Sequence, residues 1–417
     1  MQWLGFTIGS IVPFPLIVSA AFGLNPAETA AFFQRSILFC GLFSFLQVYF
    51  GHRLPLLEGP SGIWIAVTSS VAASAIALGQ SAHAAMGSFS LAMIICGLLI
   101  ILISVFGFSA KLGKFVSPMI LGTALIMLSL QFGTSCLVNM LGLTGGGFDA
   151  FGAIVSLLVL LIIVVIKVKV KGFVGSISIL IGLIFGYLVY LAFGKVSFQT
   201  GVSTQFYIPA PFELGAPSFD TGILIGQVVV VFVTFMLSIA GIKGMAESTG
   251  MPADKKQLNR GILLNGISTL FGGIFTSVGT TPLNSCIGFV ELTGVASRRV
   301  FAVSMALFAA LGLFPPVSAV LVSIPLPVLY TIFFVISASL MGMGLKEYAR
   351  LEMNTNHAIC VGFSLMAGVS VLVLPADTLA FLPDWCEYVF QNGMATAIIV
   401  CLVMEGFFKL IDTKKAQ

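Results

Sequence analysis

Apolar runs of about twenty residues, the length that crosses a bilayer, follow one another along almost the whole chain. They fall near 2–24, 30–50, 60–79, 86–108, 117–140, 151–167, 173–194, 222–241, 260–278, 284–295, 300–322, 326–344, 356–375 and 390–410. The pattern predicts an all-α polytopic membrane protein with about 14 transmembrane segments. Two runs are irregular. The third is entered through Glu58-Gly59-Pro60-Ser61-Gly62, and the tenth, too short to span alone, through Thr280-Thr281-Pro282-Leu283-Asn284-Ser285-Cys286. Proline and glycine there predict short extended stretches that break the helices in mid-membrane. Non-helical backbone survives at that depth only inside protein or beside a watery cavity, so paired breaks point to a solute-binding site.

The polar, proline-bearing stretch 195–221 is the longest connection, with seven runs before it and seven after. An odd number of segments per half makes the second half enter from the opposite face. The expected architecture is therefore a 7+7 inverted repeat, with the breaks at equivalent places in the two halves. Charge agrees with the count. With the N-terminus inside, the 19 Lys and Arg fall on cytoplasmic loops except Lys195 and Arg35. This positive-inside bias puts both termini in the cytoplasm and explains the basic loops without a nucleic-acid partner.

Composition adds little beyond the pattern. Apolar residues make up 58% of the chain and charged ones 8%, and mean hydropathy is +1.12, against about 25% charged in soluble domains. No cleavable signal peptide stands out, and the chain opens directly on its first span, which suggests a few cytoplasmic residues upstream. The seven cysteines have no metal-ligand spacing and read as buried thiols. His52, His83 and His357 are too scattered for a metal site, and no nucleophile elbow or phosphate loop appears. No enzyme activity, metal or cofactor is expected.

A half-helix starting in mid-membrane points unbonded N–H groups and a positive dipole end at the centre, which suits a polar or anionic solute. Ser61, Asn284 and Ser285 can cap such ends or bond a ligand. Glu58 is the most telling charge, because an ionisable group in the membrane usually marks function. It either binds protons or a substrate edge, or pairs with Arg53 or His52. Glu291 is expected to pair with Arg298 or Arg299, and Lys243 with Glu247.

The stretch GILLNGISTLFGGIFTSVGTTPLNSCIGFVELTGVASRR from Gly261, and VSIPLPVLY ending at Tyr330, resemble the nucleobase–ascorbate transporter family, which includes uracil and xanthine permeases. Ser285, Cys286, Gly288, Thr293 and Gly294 align with its tenth-segment signature, and Ile324, Pro325, Pro327 and Val328 with its I-P-x-P-V motif. Gly51-His52-Arg53-Leu54-Pro55-Leu56, then Glu58-Gly59-Pro60-Ser61, matches its approach to the third segment. Weaker similarity covers nearly the whole chain.

The resemblance implies a core domain from 1–116 and 222–323 and a gate domain from 117–221 and 324–417. Substrate would sit between the broken segments, against the eighth. It implies proton- or sodium-coupled transport of a purine-, xanthine- or uracil-like nucleobase, by movement of core against gate, in a homodimer in the bacterial inner membrane. The implied substrate-binding set is Glu58, Gly59, Ser61, Gly62, Leu237, Ser238, Asn284, Ser285 and Cys286, with Glu58 the candidate for ion coupling.

The chain also departs from the family. The eighth-segment Glu aligns with Leu237 and the following His with Gly241. The signature Gln/Glu and Asn are Ser285 and Cys286, the third-segment aromatic is Gly62, and the usual Gln-His of the first segment is Gln2-Trp3. These losses leave two alternatives open: another small organic solute or anion as cargo, or an uncoupled channel or facilitator.

Overall fold

The computed structural model describes residues 2–60, 64, 68, 72, 80–108, 117–143, 147–196, 206–251, 253–375, 378, 390 and 392–415. The first half contains α1 (Gln2–Ile11), α2 (Pro13–Ala21), α3 (Pro26–Tyr49), β1 (Glu58–Pro60), α4 (Ala82–Val105), α5 (Pro118–Met140), α6 (Ala150–Lys169), α7 (Phe173–Ser176) and α8 (Ser178–Ala192). The second contains α9 (Thr221–Thr249), α10 (Lys255–Ile274), β2 (Thr280–Pro282), α11 (Ser285–Thr293), α12 (Arg298–Leu311), α13 (Pro315–Val322), α14 (Leu326–Ala349), α15 (Thr355–Val373) and α16 (Gly393–Lys415).

Helix starts follow local chemistry. Asn25 and Glu28 form a capping box ahead of α3, with Pro26 in the first turn, and Asp254 and Gln257 form another at α10. Ser81, Ser117, Asp220 and Asn354 cap α4, α5, α9 and α15. Gly250 and Gly294, at φ of 65° and 69°, end α9 and α11.

Among the described residues seven helices are long and apolar enough to cross a membrane, or eight if the bent pair α12–α13 is one span. The expected single span at 300–322 is this pair, bent by 83°. The break follows from Phe314 being held extended before Pro315, which cannot continue the helical bonding. The expected run 173–194 likewise splits, at Ile177, into α7 and α8. Of the third segment, Trp64, Thr68 and Ala72 are helical and buried at a spacing of four, one face of a helix.

The halves interlock. α3 packs along α12 and α4 along α10, two equivalent cross-half pairs, while α5 lies along α14. Both cross-half pairs use glycine for close approach. A Cβ on Gly41 would lie 2.5 Å from the Ala309 amide nitrogen, and one on Gly97 2.5 Å from that of Leu270. α1 also crosses over. Trp3 packs tilted against Phe289 and edge-on against Phe301, at centroid distances of 4.5 and 4.8 Å, and donates to the Val295 carbonyl at 3.1 Å.

Residues 206–220, between the halves, are strapped across the ends of α3, α4, α10 and α12. Arg35 meets Glu213 at 2.7 Å, Ser88 meets Ser218 at 2.7 Å, and the amides of Phe212 and Tyr207 bond the carbonyls of Ile274 and Leu313. Burial pushes the Tyr207 phenol up, Arg35 opposing and Glu213 adding, so it donates to Glu213 at 2.9 Å as a neutral hydroxyl.

Gly97→Val should force α4 from α10 and cost about 1–3 kcal/mol, seen as a lower melting temperature of purified protein. Gly362→Ala, where nothing outside the local helix backbone lies within 4 Å of the Cβ position, should leave the melting temperature equal or slightly higher.

Candidate functional site

The two broken segments meet. β1 and β2 pair antiparallel, Glu58 opposite Pro282, Gly59 opposite Thr281 and Pro60 opposite Thr280. All six residues are buried, and the Leu283 amide adds a bond to the Leu57 carbonyl at 2.9 Å. So short a ladder would be marginal in water, but with no water to compete the unpaired backbone has no cheaper state. Glycine is needed at 59: a Cβ would sit 2.3 Å from Ile11 Cδ1 and 3.0 Å from Leu283 Cδ1. Trp64 lies against Gly279, where a Cβ would be 2.3 Å from its ring.

On one side of the crossing, polar groups bond to one another, His52 Nε2 excepted. The Glu58 carboxylate accepts from Gln47 Nε2 of α3 and Asn265 Nδ2 of α10, each at 3.1 Å. Its amide donates to Ser44 Oγ at 2.9 Å. Gln47 also donates to the Gly261 carbonyl, and Asn265 to the Thr280 carbonyl. Ser268 and Thr280 share a hydroxyl–hydroxyl bond. His52 Nδ1 accepts from the Leu54 amide, which leaves Nε2 turned to Glu58 Oε1 at 3.7 Å. Glu58 and His52 are both fully buried. Of the expected partners of Glu58, His52 is present, and Arg53 is exposed.

Toward α9 the polar groups are unengaged. Asn284 Oδ1 is buried with no hydrogen-bond partner, as is Thr281 Oγ1. Asn284 heads α11 but does not cap it with its side chain. Its Oδ1 faces Gly241 of α9, where a Cβ would lie only 2.5 Å away. Ser285 is exposed, and a Cβ on Gly288 would meet nothing within 4 Å, so this face of α11 borders open space. The site therefore offers a carboxamide oxygen, two hydroxyls and a short helix's N-terminal end, opposite a helix stripped of side chain at its nearest point.

The expected set divides accordingly. Gly59, Asn284, Ser285 and Cys286 lie at the crossing, Cys286 fully buried. Ser61 and Gly62 lie outside the described residues. Leu237 is packed in the apolar core, and Ser238 donates to the Thr234 carbonyl of its own helix at 2.8 Å. Among the described residues, Glu291 forms no ion pair with Arg298 or Arg299, nor Lys243 with Glu247. Sequence reasoning missed Gln47, Asn265 and Thr281. A Gln and an Asn inside apolar segments are themselves a signal, because such groups need partners there.

The permease family model Xan_ur_permease matches residues 1–377. The chain belongs to this permease family. It is 30% identical to a xanthine permease of Bacillus subtilis, over 97% of this chain and 92% of that one. It is 27% identical to the uric acid permease PucJ of the same organism, over 96% and 90%. Its fold is that of the transmembrane domain of the cyanobacterial bicarbonate transporter BicA, with a TM-score of 0.65 at 16% identity and 96% of each chain covered. The resemblance read from the motifs therefore holds. This is a membrane permease, not an enzyme, and it has the inverted-repeat fold. Among its described residues no cluster of His, Cys, Asp or Glu could hold a metal.

In this permease Asn265→Leu would leave Glu58 Oε2 and the Thr280 carbonyl without their donor. The expected cost is about 1–3 kcal/mol for each unpaired group, read as a lower melting temperature. Asn265→Asp, which sets a second carboxylate beside Glu58, should be worse.

Proposed function

We propose that this permease is a secondary transporter of a nucleobase of the xanthine or urate kind, working in a bacterial inner membrane with both termini cytoplasmic. The observation that carries the reading is the unengaged polar set at the crossing, Asn284 Oδ1 and Thr281 Oγ1 beside an open face of α11, in a chain of this family. A planar base is read by hydrogen bonds at its edges, and its ring N–H groups suit such free acceptors.

The segments α1–α4 and α9–α13 form the core in this reading, and α5–α8 with α14–α16 the gate. The strap 206–220 bonds only to core elements through the contacts above, so it rides with the core rather than with the gate half that precedes it. Core moves against gate while the crossing stays intact. The same reading includes a homodimer and coupling to protons or sodium.

For a proton, Glu58 and His52 are the groups to hold it. They are 3.7 Å apart, buried together, and braced by amides from α3 and α10. A proton arriving there neutralises a charge that is costly to bury alone.

Purified protein in proteoliposomes, given labelled xanthine or urate with and without an imposed proton or sodium gradient, tests the proposal. Accumulation above the outside concentration is expected only with a gradient. Equal uptake with and without one would make the protein a passive facilitator. In a thermal-shift screen a base at 100 times its Kd should stabilise by about 2.7 kcal/mol. Stabilisation by a small anion but by no base would sink the nucleobase reading. Glu58→Gln should keep equilibrium exchange of the base yet lose accumulation driven by a proton gradient, and unchanged accumulation would remove Glu58 from the coupling.

A further inference from the structure

Buried amides in this protein mostly find partners. Gln47 and Asn265 each donate twice, and Gln47 Oε1 also accepts from the His52 amide. Gln34, Gln131 and Asn284 each bury one unpartnered atom, and Gln227 of α9 buries two. It is fully buried, and neither Nε2 nor Oε1 has a hydrogen-bond partner. Among the described residues no other side-chain amide has both polar atoms sealed from solvent and unpaired. Two turns further along α9, Thr234 is also fully buried with an unpartnered hydroxyl.

These residues share a face. Gln227, Val231, Thr234, Ser238 and Gly241 recur at steps of four, three, four and three, the spacing of one stripe on an α-helix. The stripe ends at Gly241, opposite Asn284 Oδ1. At 1.5 Å per residue, Gln227 lies about 21 Å along the helix from that point. α9 touches α4 and α10 as well as α5 and α16, so it lies where the two groups of helices meet. Native folds rarely keep a buried amide with nothing bonded unless a ligand or water uses it in another state.

We propose that Gln227 is a second binding station on the path along α9, reading the solute before it reaches the crossing. A primary amide presents a donor and an acceptor side by side. Its complement is a cis-lactam edge, an N–H next to a C=O, with which it closes two hydrogen bonds at once. The solute class is therefore a planar lactam heterocycle. Val231 supplies an apolar surface between the two polar points, and Thr234 Oγ1 a bond further on. The amide is sealed here, so the station opens only as α9 shifts against α5 and α16. This deepens the nucleobase reading above and rests on it.

Gln227→Met, close in size and without either polar group, separates a transport role from a structural one. A structural amide lost from a core lowers stability. An unpartnered one replaced by a thioether leaves stability equal or higher. The expected result in proteoliposomes is a melting temperature no lower than that of the parent, retained thermal-shift binding of xanthine at the untouched crossing, and initial xanthine uptake reduced about tenfold or more. Uptake within twofold of the parent overturns the proposal. So does lost uptake accompanied by a lowered melting temperature. A parent protein that takes up no lactam base at all overturns the nucleobase reading itself, and this station with it.

Discussion

Everything in the centre of this protein follows from one requirement: backbone N–H and C=O groups in hydrocarbon must bond to protein. Two segments stop being helical there, at Glu58–Pro60 and Thr280–Pro282, and each satisfies the other. Because the partners come from opposite halves, neither half can complete its own centre. Antiparallel pairing also suits halves that enter the membrane from opposite sides. The cross-half contacts of α3 with α12 and α4 with α10, and the glycines that bring those backbones together, hold the pairing in place from both flanks.

The crossing sorts polar groups by whether they are in use. Glu58, Gln47, Asn265, Ser44, Ser268 and Thr280 are bonded to one another or to backbone, and their bonds tie α3 and α10 to the strands. A carboxylate buried in this way ties α3, α10 and β1 together at one point. Asn284, Thr281, Thr234 and Gln227 carry unbonded atoms instead. Unbonded buried polar groups cost stability, so a fold keeps them where another state of the protein puts them to use. That contrast sets the bonded carboxylate of Glu58 apart from the open acceptor of Asn284, with His52 Nε2 unbonded between the two sets.

Much of this was legible in the sequence, for identifiable reasons. The two breaks could be read because proline and glycine inside apolar runs admit few other structures, and the paired strands bear them out. The glycine-rich run from Gly261 and the I-P-x-P-V motif carried the family correctly. Helix breaks inside a span-length apolar run were harder: the 83° bend before Pro315 interrupts a run whose hydropathy reads as one span. The ion pairs expected for Glu291 and Lys243 failed because closeness in sequence gives little reason for exposed charges to hold one geometry. The network around Glu58 draws on residues 14 positions upstream and 207 downstream, a separation that only the fold closes.

The eighth segment shows why a site can keep its shape and change its chemistry. Leu237, where the family resemblance leads to the expectation of a carboxylate, is packed in the apolar core, whereas Gly241 of α9 faces Asn284. A Cβ at 241 would lie 2.5 Å from Asn284 Oδ1, closer than any stable contact allows. A side chain reaching in from α9 and the carboxamide of Asn284 therefore exclude each other in this arrangement. The polar atom that faces α9 is the neutral carboxamide oxygen of Asn284, at the head of α11. A neutral acceptor bonds an N–H without needing a counter-charge. The open acceptor therefore carries no charge, while the buried carboxylate of Glu58 is held by amides on the other side of the crossing.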